Sequence, residues 1–280
     1  MTRPAFVIGV VAPAAPVDPA IVAPIRAIAR DLYGDRLEIR FHPGSFLSGR
    51  HFAGDDAARA AAVIDYGNAE DIDAIWFGRG GYGTVRIADA VLQALGARAL
   101  AKPYLGYSDL GMLLAGLYNR GARHIAHGPV VHDLYREDGA DAVRRALRWL
   151  VDRSIETLEP GLIPGRKAAA FNLTILCHLI GTPFEPDLTD HDLLIEEVSE
   201  QMYRIDRNFA HLAGTALFQR IGGLRLGRCT RIIPNQPDFL LTEEEIARHW
   251  CDRAGTPYRG RADIAHDSAN KVVPFGLFPG

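Results

Sequence analysis

The sequence predicts an α/β protein whose first half forms a parallel sheet covered by helices on both faces. In that half, short β-branched runs alternate with helical patterns, which is typical of such a sheet. Around residues 150–170, two prolines and two glycines interrupt the alternation and indicate a linker. We therefore expect an N-terminal α/β domain over residues 1–155 and a second domain over residues 165–280.

The elements of the first half are predicted from short apolar runs and their turn signals. Strands are predicted over residues 6–12, 37–42, 73–77, 103–107 and 124–126. Asp18 followed by Pro19 predicts a helix start, because Asp accepts hydrogen bonds from the first turn and proline is tolerated there. Further helices are predicted from about Asp55 and up to about Val151. Ligands are expected at the carboxyl ends of the strands.

The second half shows fewer clear strand–helix pairs. Strands are predicted over residues 193–197 and 224–229, with one helix over residues 203–219 between them. Thr242 and Glu245 form a capping-box pattern, which predicts the start of another helix.

Composition excludes several classes of function. The 280 residues are 48% hydrophobic with a formal net charge of −3, which is globular and gives no electrostatic reason to expect a nucleic-acid partner. The three cysteines form no CxxC pair, which favours a reducing compartment. No apolar run approaches the roughly 20 residues that span a bilayer. Residues 5–12 suit an opening strand better than a signal peptide, because Pro13 and Pro16 follow, so we expect a cytoplasmic protein without membrane contact.

Ser108 lies between an apolar run that ends at Tyr107 and a helical pattern that begins at Leu110. At a strand-to-helix corner, free backbone N–H groups and the positive end of the helix dipole converge, and both stabilise an oxyanion. The N–H of Asp109 is a natural donor, as in nucleophile-elbow enzymes. Ser and Asp are also preferred helix caps, and the segment alone favours that plainer role.

The segment Gly78–Gly83 follows the third predicted strand and matches G-x-G-x-x-G. The dinucleotide-binding pattern usually follows the first strand of its fold, which here leads into a proline-rich stretch. The glycines could instead bring backbone amides close to a reacting carbonyl, or form a tight turn without a chemical role. Arg79 suits a substrate carboxylate and a structural acid equally well.

Ten histidines supply candidates for a general base. His124, His127 and His132 cluster, but their spacing matches no metal-binding motif and strand alternation would separate two of them, so we expect no metal site. His266 lies in a loop-like stretch, where a surface histidine is the commoner finding.

Adjacent carboxylates, Glu196 and Glu197, end an apolar strand. One of them must face the buried or cleft side, unless both lie past the strand end in water. A carboxylate in a cleft needs a partner, and a histidine would serve.

Taken together, these segments resemble the LD-carboxypeptidase family, also called muramoyltetrapeptide carboxypeptidases. The matching segments run in family order from about residue 6 to 276. The strongest are Arg79-Gly80-Gly81-Tyr82-Gly83 and Lys102-Pro103-Tyr104-Leu105-Gly106-Tyr107-Ser108-Asp109. The others are His127-Gly128-Pro129, Gly181-Thr182-Pro183, Leu194-Ile195-Glu196-Glu197, Tyr203-Arg204-Ile205-Asp206-Arg207, and Pro274-Phe275-Gly276 after His266.

The resemblance implies a Rossmann- or flavodoxin-like N-terminal domain with the nucleophile, and a smaller, β-rich C-terminal domain across a cleft. It implies a catalytic triad of Ser108, His266 and Glu196, which needs no metal or organic cofactor. The N–H groups of Asp109 and Gly81 would face the oxyanion.

The resemblance also implies a substrate class. Enzymes of this family act in peptidoglycan recycling, where they cut the bond between an L-configured centre of meso-diaminopimelate and the terminal D-alanine of a muropeptide tetrapeptide. Arg79 and Tyr82 are the residues expected to contact this substrate. The family often forms homodimers.

Several positions depart from the family pattern without removing a triad member. Ala170-Phe171 stands where two glycines commonly precede the asparagine, Ala265 replaces a glycine before the histidine, and Ala14 replaces a serine. These departures bear on the shape of the cleft and therefore on the substrate.

Three alternatives follow from these observations. Within the family, the chain could be a microcin C immunity-type hydrolase of acyl-sulfamoyl-adenylates, although no aromatic insertion for a nucleobase is apparent. From another class, it could be a nucleotide-binding oxidoreductase or binding module that uses Gly78–Gly83. A non-catalytic sensor of the same fold is the third.

Overall fold

A computed structural model describes residues 5–49 and 51–277, so the outermost residues of both predicted domains lie outside it. The strands are β1 (Phe6–Val11), β2 (Leu37–Phe41), β3 (Ala74–Phe77), β4 (Tyr104–Gly106), β5 (Ile125–His127), β6 (Ala168–Asn172), β7 (Asp192–Val198), β8 (Gly223–Thr230), β9 (Tyr258–Arg261) and β10 (Val273–Pro274). The helices are α1 (Val22–Tyr33), α2 (Asp56–Asn68), α3 (Thr84–Ala94), α4 (Ala97–Ala101), α5 (Gly111–Asn119), α6 (Gly139–Asp152), α7 (Leu173–Leu179), α8 (Met202–Ala213), α9 (Ala216–Arg220) and α10 (Glu243–Ala254).

The strands form two sheets. The first has six strands in the order β10-β5-β4-β3-β1-β2, and all its pairs are parallel except β10 with β5. The second has four parallel strands in the order β6-β7-β8-β9. The predicted α/β class with a separate C-terminal sheet is confirmed.

The chain crosses between the two sheets near its C-terminal end. β10 lies far along the sequence, yet Val273 pairs with His127 in the first sheet. The loop that precedes β10, which carries His266, therefore runs between the second sheet and the first. The boundaries 1–155 and 165–280 stay predictions.

The five strands predicted in the first half are present, with ends shifted by at most one residue. The start at Asp18 is also present, since its carboxylate accepts from the N–H of Ala20, but the first turn, Pro19–Ile21, is a 3-10 helix and α1 begins at Val22. The capping box is formed as predicted, with reciprocal hydrogen bonds between Thr242 and Glu245. The helix predicted over residues 203–219 is two helices, because the chain turns at Gly214 and Thr215 caps α9.

The strand β6 was not predicted, because an alanine-rich run has poor β-propensity. Its five residues are all buried, between neighbouring structure on both faces. One apolar cluster extends from α3 and α5 of the first unit to β6, α7 and α8 of the second. Since α5 begins three residues after Ser108, this shared core packs the helix that follows the serine against the second unit.

Candidate active site

Ser108 lies two residues after the end of β4 and opens a short 3-10 turn that leads into α5. Its φ is +64°, in the left-handed region that residues other than glycine rarely adopt. A strained serine between a strand and a helix is the backbone geometry of a nucleophile elbow. Ser108 therefore does not act as a side-chain cap, since the structure shows no side-chain cap bond at the start of this turn or of α5.

The glycine loop after β3 lies directly against this serine. A Cβ placed on Gly80 would lie 3.0 Å from the Ser108 Cβ and 3.2 Å from its Oγ. A glycine is needed here because of this close approach. Gly81 has a φ of +121° and lines the same cleft as Ser108.

His266 and Glu196 form a buried pair, and His266 lines the cleft. The Nδ1 atom of His266 lies 2.5 Å from Oε2 of Glu196, which is fully buried on β7. Within the described ranges, Nε2 of His266 has no hydrogen-bond partner, the Ser108 hydroxyl included. Both His266 and Ser108 line one cleft of about 460 Å³, so the structure brings the two residues to a common space.

Glu197 is buried as well, but it serves a different part of the fold. Its carboxylate accepts from Asn172 Nδ2 at 2.6 Å and from the N–H and hydroxyl of Thr174 at 3.0 and 2.7 Å. It therefore holds the start of α7, where burial raises the pKa of Glu197. The possibility that both carboxylates lie in water is wrong.

The loop that carries His266 is fixed by arginines that the sequence analysis missed. The guanidinium of Arg228 donates to both carboxylate oxygens of Asp267 at 2.8 and 2.9 Å, and to Asp263 at 2.5 Å. Arg145 donates to the backbone carbonyls of Ser268 and Asn270. These contacts join residues far apart in the chain, and no local pattern signals them.

His127, on β5 of the first sheet, supports the same loop through its contact with Asn270, which belongs to the loop itself. Oδ1 of Asn270 accepts from the N–H of Ala265 at 3.2 Å and lies 3.2 Å from Nε2 of His127. Burial lowers the pKa of His127 to about 4, so this imidazole is neutral in the folded protein. The three clustered histidines thus have separate environments, since His124 is exposed and His132 lines the cleft. Within the part of the chain that the structure describes, no group of three or more potential metal ligands occurs.

The side chain of Asp109 occupies the start of α3. Its Oδ2 accepts from the N–H of Thr84 at 3.0 Å, and its backbone carbonyl accepts from the Thr84 hydroxyl at 2.6 Å. A nucleotide phosphate would need these N–H groups at the helix start. Because a carboxylate of the protein itself fills that position, the geometry speaks against a nucleotide site at Gly78–Gly83.

The two predicted substrate contacts differ in position. Arg79 lines the cleft, and its guanidinium makes one long hydrogen bond, 3.4 Å, to the carbonyl of Pro16. Tyr82 is half exposed and is not among the residues that line the cleft. Its ring lies 6.1 Å from that of Phe52 and 6.4 Å from that of His51.

Comparison with known proteins agrees with this geometry. Residues 8–128 match the LD-carboxypeptidase N-terminal domain, and residues 167–278 match the LD-carboxypeptidase C-terminal domain. The chain belongs to the LD-carboxypeptidase family. The resemblance noted in the sequence is confirmed, and this LD-carboxypeptidase is a serine-type carboxypeptidase, a hydrolase.

Relatives of this LD-carboxypeptidase span nearly the whole chain. The "probable murein peptide carboxypeptidase" of Bacillus subtilis is 27% identical over 96% of this chain and 86% of its own length. The "murein tetrapeptide carboxypeptidase" of Pseudomonas aeruginosa is 25% identical over 92% of this chain and 90% of its own.

Solved structures share the fold of this LD-carboxypeptidase. The muramoyltetrapeptide carboxypeptidase of Oxalobacter formigenes has a TM-score of 0.78 at 19% identity, over 97% of this chain and 93% of that one. The microcin C7 self-immunity protein MccF, solved with aspartyl sulfamoyl adenosine, has a TM-score of 0.79 at 16% identity, over 98% and 92%. In the described residues, no helix is both long enough and apolar enough to cross a bilayer.

Proposed function

We propose that this carboxypeptidase releases the terminal D-alanine from muropeptide tetrapeptides in peptidoglycan recycling. The observation that carries the proposal is the buried Glu196–His266 pair: Nε2 of His266 has no partner among the described residues, and His266 lines the same cleft as the strained Ser108. The names of the Bacillus and Pseudomonas relatives support a murein peptide as the substrate.

The proposed chemistry follows from this arrangement. With Nδ1–H of His266 donating to Glu196, Nε2 accepts the proton of Ser108 as the hydroxyl attacks the scissile carbonyl. Hydroxyl–imidazole hydrogen bonds are often long in substrate-free enzymes and close when substrate binds. The imidazolium then protonates the leaving amine of D-alanine, and water, activated by the same histidine, hydrolyses the acyl-enzyme.

We propose Gly81 and Asp109 as the donors to the oxyanion. Gly81 lines the cleft, and the N–H of Asp109 lies in the first turn of the Ser108–Leu110 3-10 helix, where N–H groups lack an intrahelical acceptor. Removing one such donor typically costs about 3 kcal/mol of transition-state stabilisation. Tyr82 as a substrate contact stays a prediction, since it lies outside the cleft lining.

We also propose a cytoplasmic location, which the three free cysteines support, since a reducing compartment keeps thiols unpaired. The homodimer that the resemblance implies stays a prediction.

Hydrolysis of acyl-sulfamoyl-adenylates is a second candidate, favoured by the likeness of the fold to MccF. That substrate needs an aromatic surface to stack its base. Apart from histidines, the aromatic residues that line the cleft are Tyr107 and Tyr135. Tyr107 is buried beneath His266, with ring centroids 4.8 Å apart, which leaves Tyr135 for stacking. We therefore rank this candidate second.

The test is release of D-alanine from a purified tetrapeptide, followed by mass spectrometry, with glutamyl-sulfamoyl-adenosine assayed in parallel. We expect release by the native protein and none by Ser108→Ala, with unchanged circular dichroism and thermal midpoint. Turnover retained by Ser108→Ala would rule out the mechanism. Cleavage of the sulfamoyl-adenylate alone would establish the second candidate.

A further inference from the structure

Three arginines line the cleft, and one of them already forms an ion pair with an acidic residue of the protein. Arg136 donates from Nε to Asp133 at 2.6 Å and from Nη2 to the Tyr107 hydroxyl at 3.1 Å. For Arg79 and Arg231, no ion pair with an acid occurs among the described residues. A guanidinium without an acidic partner on a cleft wall is suited to a carboxylate, which it can bind through two parallel hydrogen bonds.

Arg231 lies at the carboxyl end of a strand of the second sheet, the side on which such sheets bind ligands. It directly follows β8, and Ser199 directly follows the neighbouring β7, which carries Glu196. Both have left-handed backbones, with φ of +52° and +58°, and the N–H of Ser199 donates to the carbonyl of Thr230 at 2.9 Å. Such strain in residues with side chains gathers at functional sites, and both of these residues line the cleft.

Arg79 comes from the other sheet. It precedes Gly80, whose α-carbon lies against Ser108. The cleft therefore receives one unpaired guanidinium from the loop after β3 and another from the end of β8, with the serine in the loop after β4.

We propose that Arg231 binds the carboxylate at the far end of the diaminopimelate side chain and so selects this residue as the acyl donor. The inference rests on the proposed function. In the tetrapeptide, the terminal carboxylate is attached next to the scissile nitrogen, so it must lie close to the serine, beside the loop that bears Arg79. The second carboxylate lies at the end of a long aliphatic chain on the acyl side, which lets it extend to the wall of the second sheet.

The experiment compares two tetrapeptides that differ in this carboxylate. One carries meso-diaminopimelate before the terminal D-alanine, and the other carries L-lysine, which has the same chain and amine without the carboxylate. We expect the native enzyme to favour the diaminopimelate peptide in kcat/KM by about 10- to 100-fold, the range for one charge-assisted hydrogen-bonded pair. In Arg231→Met that ratio should fall to near one.

Matched variants separate the effect of the guanidinium charge from the effect of the backbone conformation at position 231. Arg231→Gly removes the guanidinium while suiting the positive φ, so it must give the same ratio as Arg231→Met even if the latter is less stable. Arg231→Lys should retain part of the preference. Arg79→Met should lower kcat/KM for both peptides by similar factors, because both keep the terminal carboxylate. Arg30→Met, at an exposed position of α1 outside the cleft, should keep the native ratio.

The outcomes distinguish this inference from the proposed function. If the native enzyme releases D-alanine from neither peptide, the proposed function itself is wrong. If it releases D-alanine from both without preference, or if Arg231→Gly keeps the native preference, the assignment of Arg231 is wrong and the proposed function stands.

Discussion

The imidazole of His266 and the carboxylate of Glu196 meet at 2.5 Å although 70 residues separate them in the chain. Glu196 lies on a central strand of the second sheet, and His266 lies on the loop that returns to the first. The pair is therefore a product of the chain's crossing between the two sheets. Its geometry depends on contacts that fix both the strand and the loop.

Replacing the carboxylate tests the role of the pair. In Glu196→Gln, the amide can donate to Nδ1 of His266 and favour the tautomer whose Nε2 carries a proton and cannot accept one from Ser108. We expect kcat to fall on the order of 10⁴-fold, the size of the effect when the aspartate of a Ser-His-Asp triad is replaced by its amide. Steady-state kinetics of D-alanine release measures this effect.

The neighbouring Glu197→Gln is the matched control, because it removes the same charge from the opposite face of β7. It weakens the contacts to Asn172 and Thr174 at the start of α7. We expect a loss of about 1–3 kcal/mol in the free energy of unfolding, with kcat within about tenfold of the native value. Equal losses of kcat in folded Glu196→Gln and folded Glu197→Gln would contradict a role for Glu196 in orienting His266.

Gly227 allows the Glu196–His266 pair to form. A side chain at this position would displace the strand that carries Glu196 and the loop that carries His266. A Cβ on Gly227 would lie 2.6 Å from the carbonyl oxygen of Ile264 and 3.0 Å from Cβ of Glu196. We expect Gly227→Ala to lower kcat/KM by about 10²-fold, since small displacements of reacting groups have effects of that size. Kinetics and urea unfolding on the same sample check this.

Gly96→Ala controls for the added methyl group, because the nearest contact of its Cβ would be Asn68 Oδ1 at 3.6 Å. Its kinetics should match those of the native enzyme. A Gly227→Ala enzyme with native kcat/KM would show that β7 and the His266 loop can move apart without a loss of activity.

Local patterns in the sequence predicted much of this molecule. The strand-to-helix corner at Ser108, the glycine loop after β3 and the cap at Thr242 are properties of short segments, and the structure contains all three. The resemblance selected His266 and Glu196 from many candidates, which no spacing rule would have done.

The rest depends on tertiary contacts. Arg228 and His127 contact the His266 loop from distant parts of the chain, and Arg231 is singled out only by its place in the cleft without an acidic partner, a feature it shares with Arg79. The strand β6 is alanine-rich, and it is a strand because it is buried between its neighbours rather than because of intrinsic propensity.

Asp109 offers a test of the start of α3. In Asp109→Ala, the buried N–H of Thr84 loses its acceptor, and we expect a loss of about 1–3 kcal/mol in the free energy of unfolding. Asp109→Asn keeps a side-chain oxygen as the acceptor and should lose less. Urea denaturation of both variants measures the difference. Equal stability of Asp109→Ala and the native protein would show that water replaces the carboxylate at this helix start.

His127 predicts how stability depends on pH. Burial lowers its pKa from an ordinary 6.5 to about 4, so the unfolded chain takes up this proton at a higher pH than the folded protein does. The stability contributed by the neutral imidazole is therefore complete above pH 6.5 and is lost as the pH falls from 6.5 towards 4. At 1.36 kcal/mol per pH unit, the full loss is roughly 3 kcal/mol, of which roughly 2 kcal/mol is lost by about pH 5.

His127→Gln removes this titration but leaves the other histidines in place. His132 and His191 also have lowered pKa values because of burial, and their contributions are common to both proteins and cancel in the comparison. Urea unfolding at about pH 7.5 and about pH 5 should show the native protein losing roughly 2 kcal/mol more than the variant. Parallel losses in the two proteins would mean that His127 becomes protonated in the folded state at about pH 5, and hence that its contact with Asn270 tolerates an imidazolium beside His266.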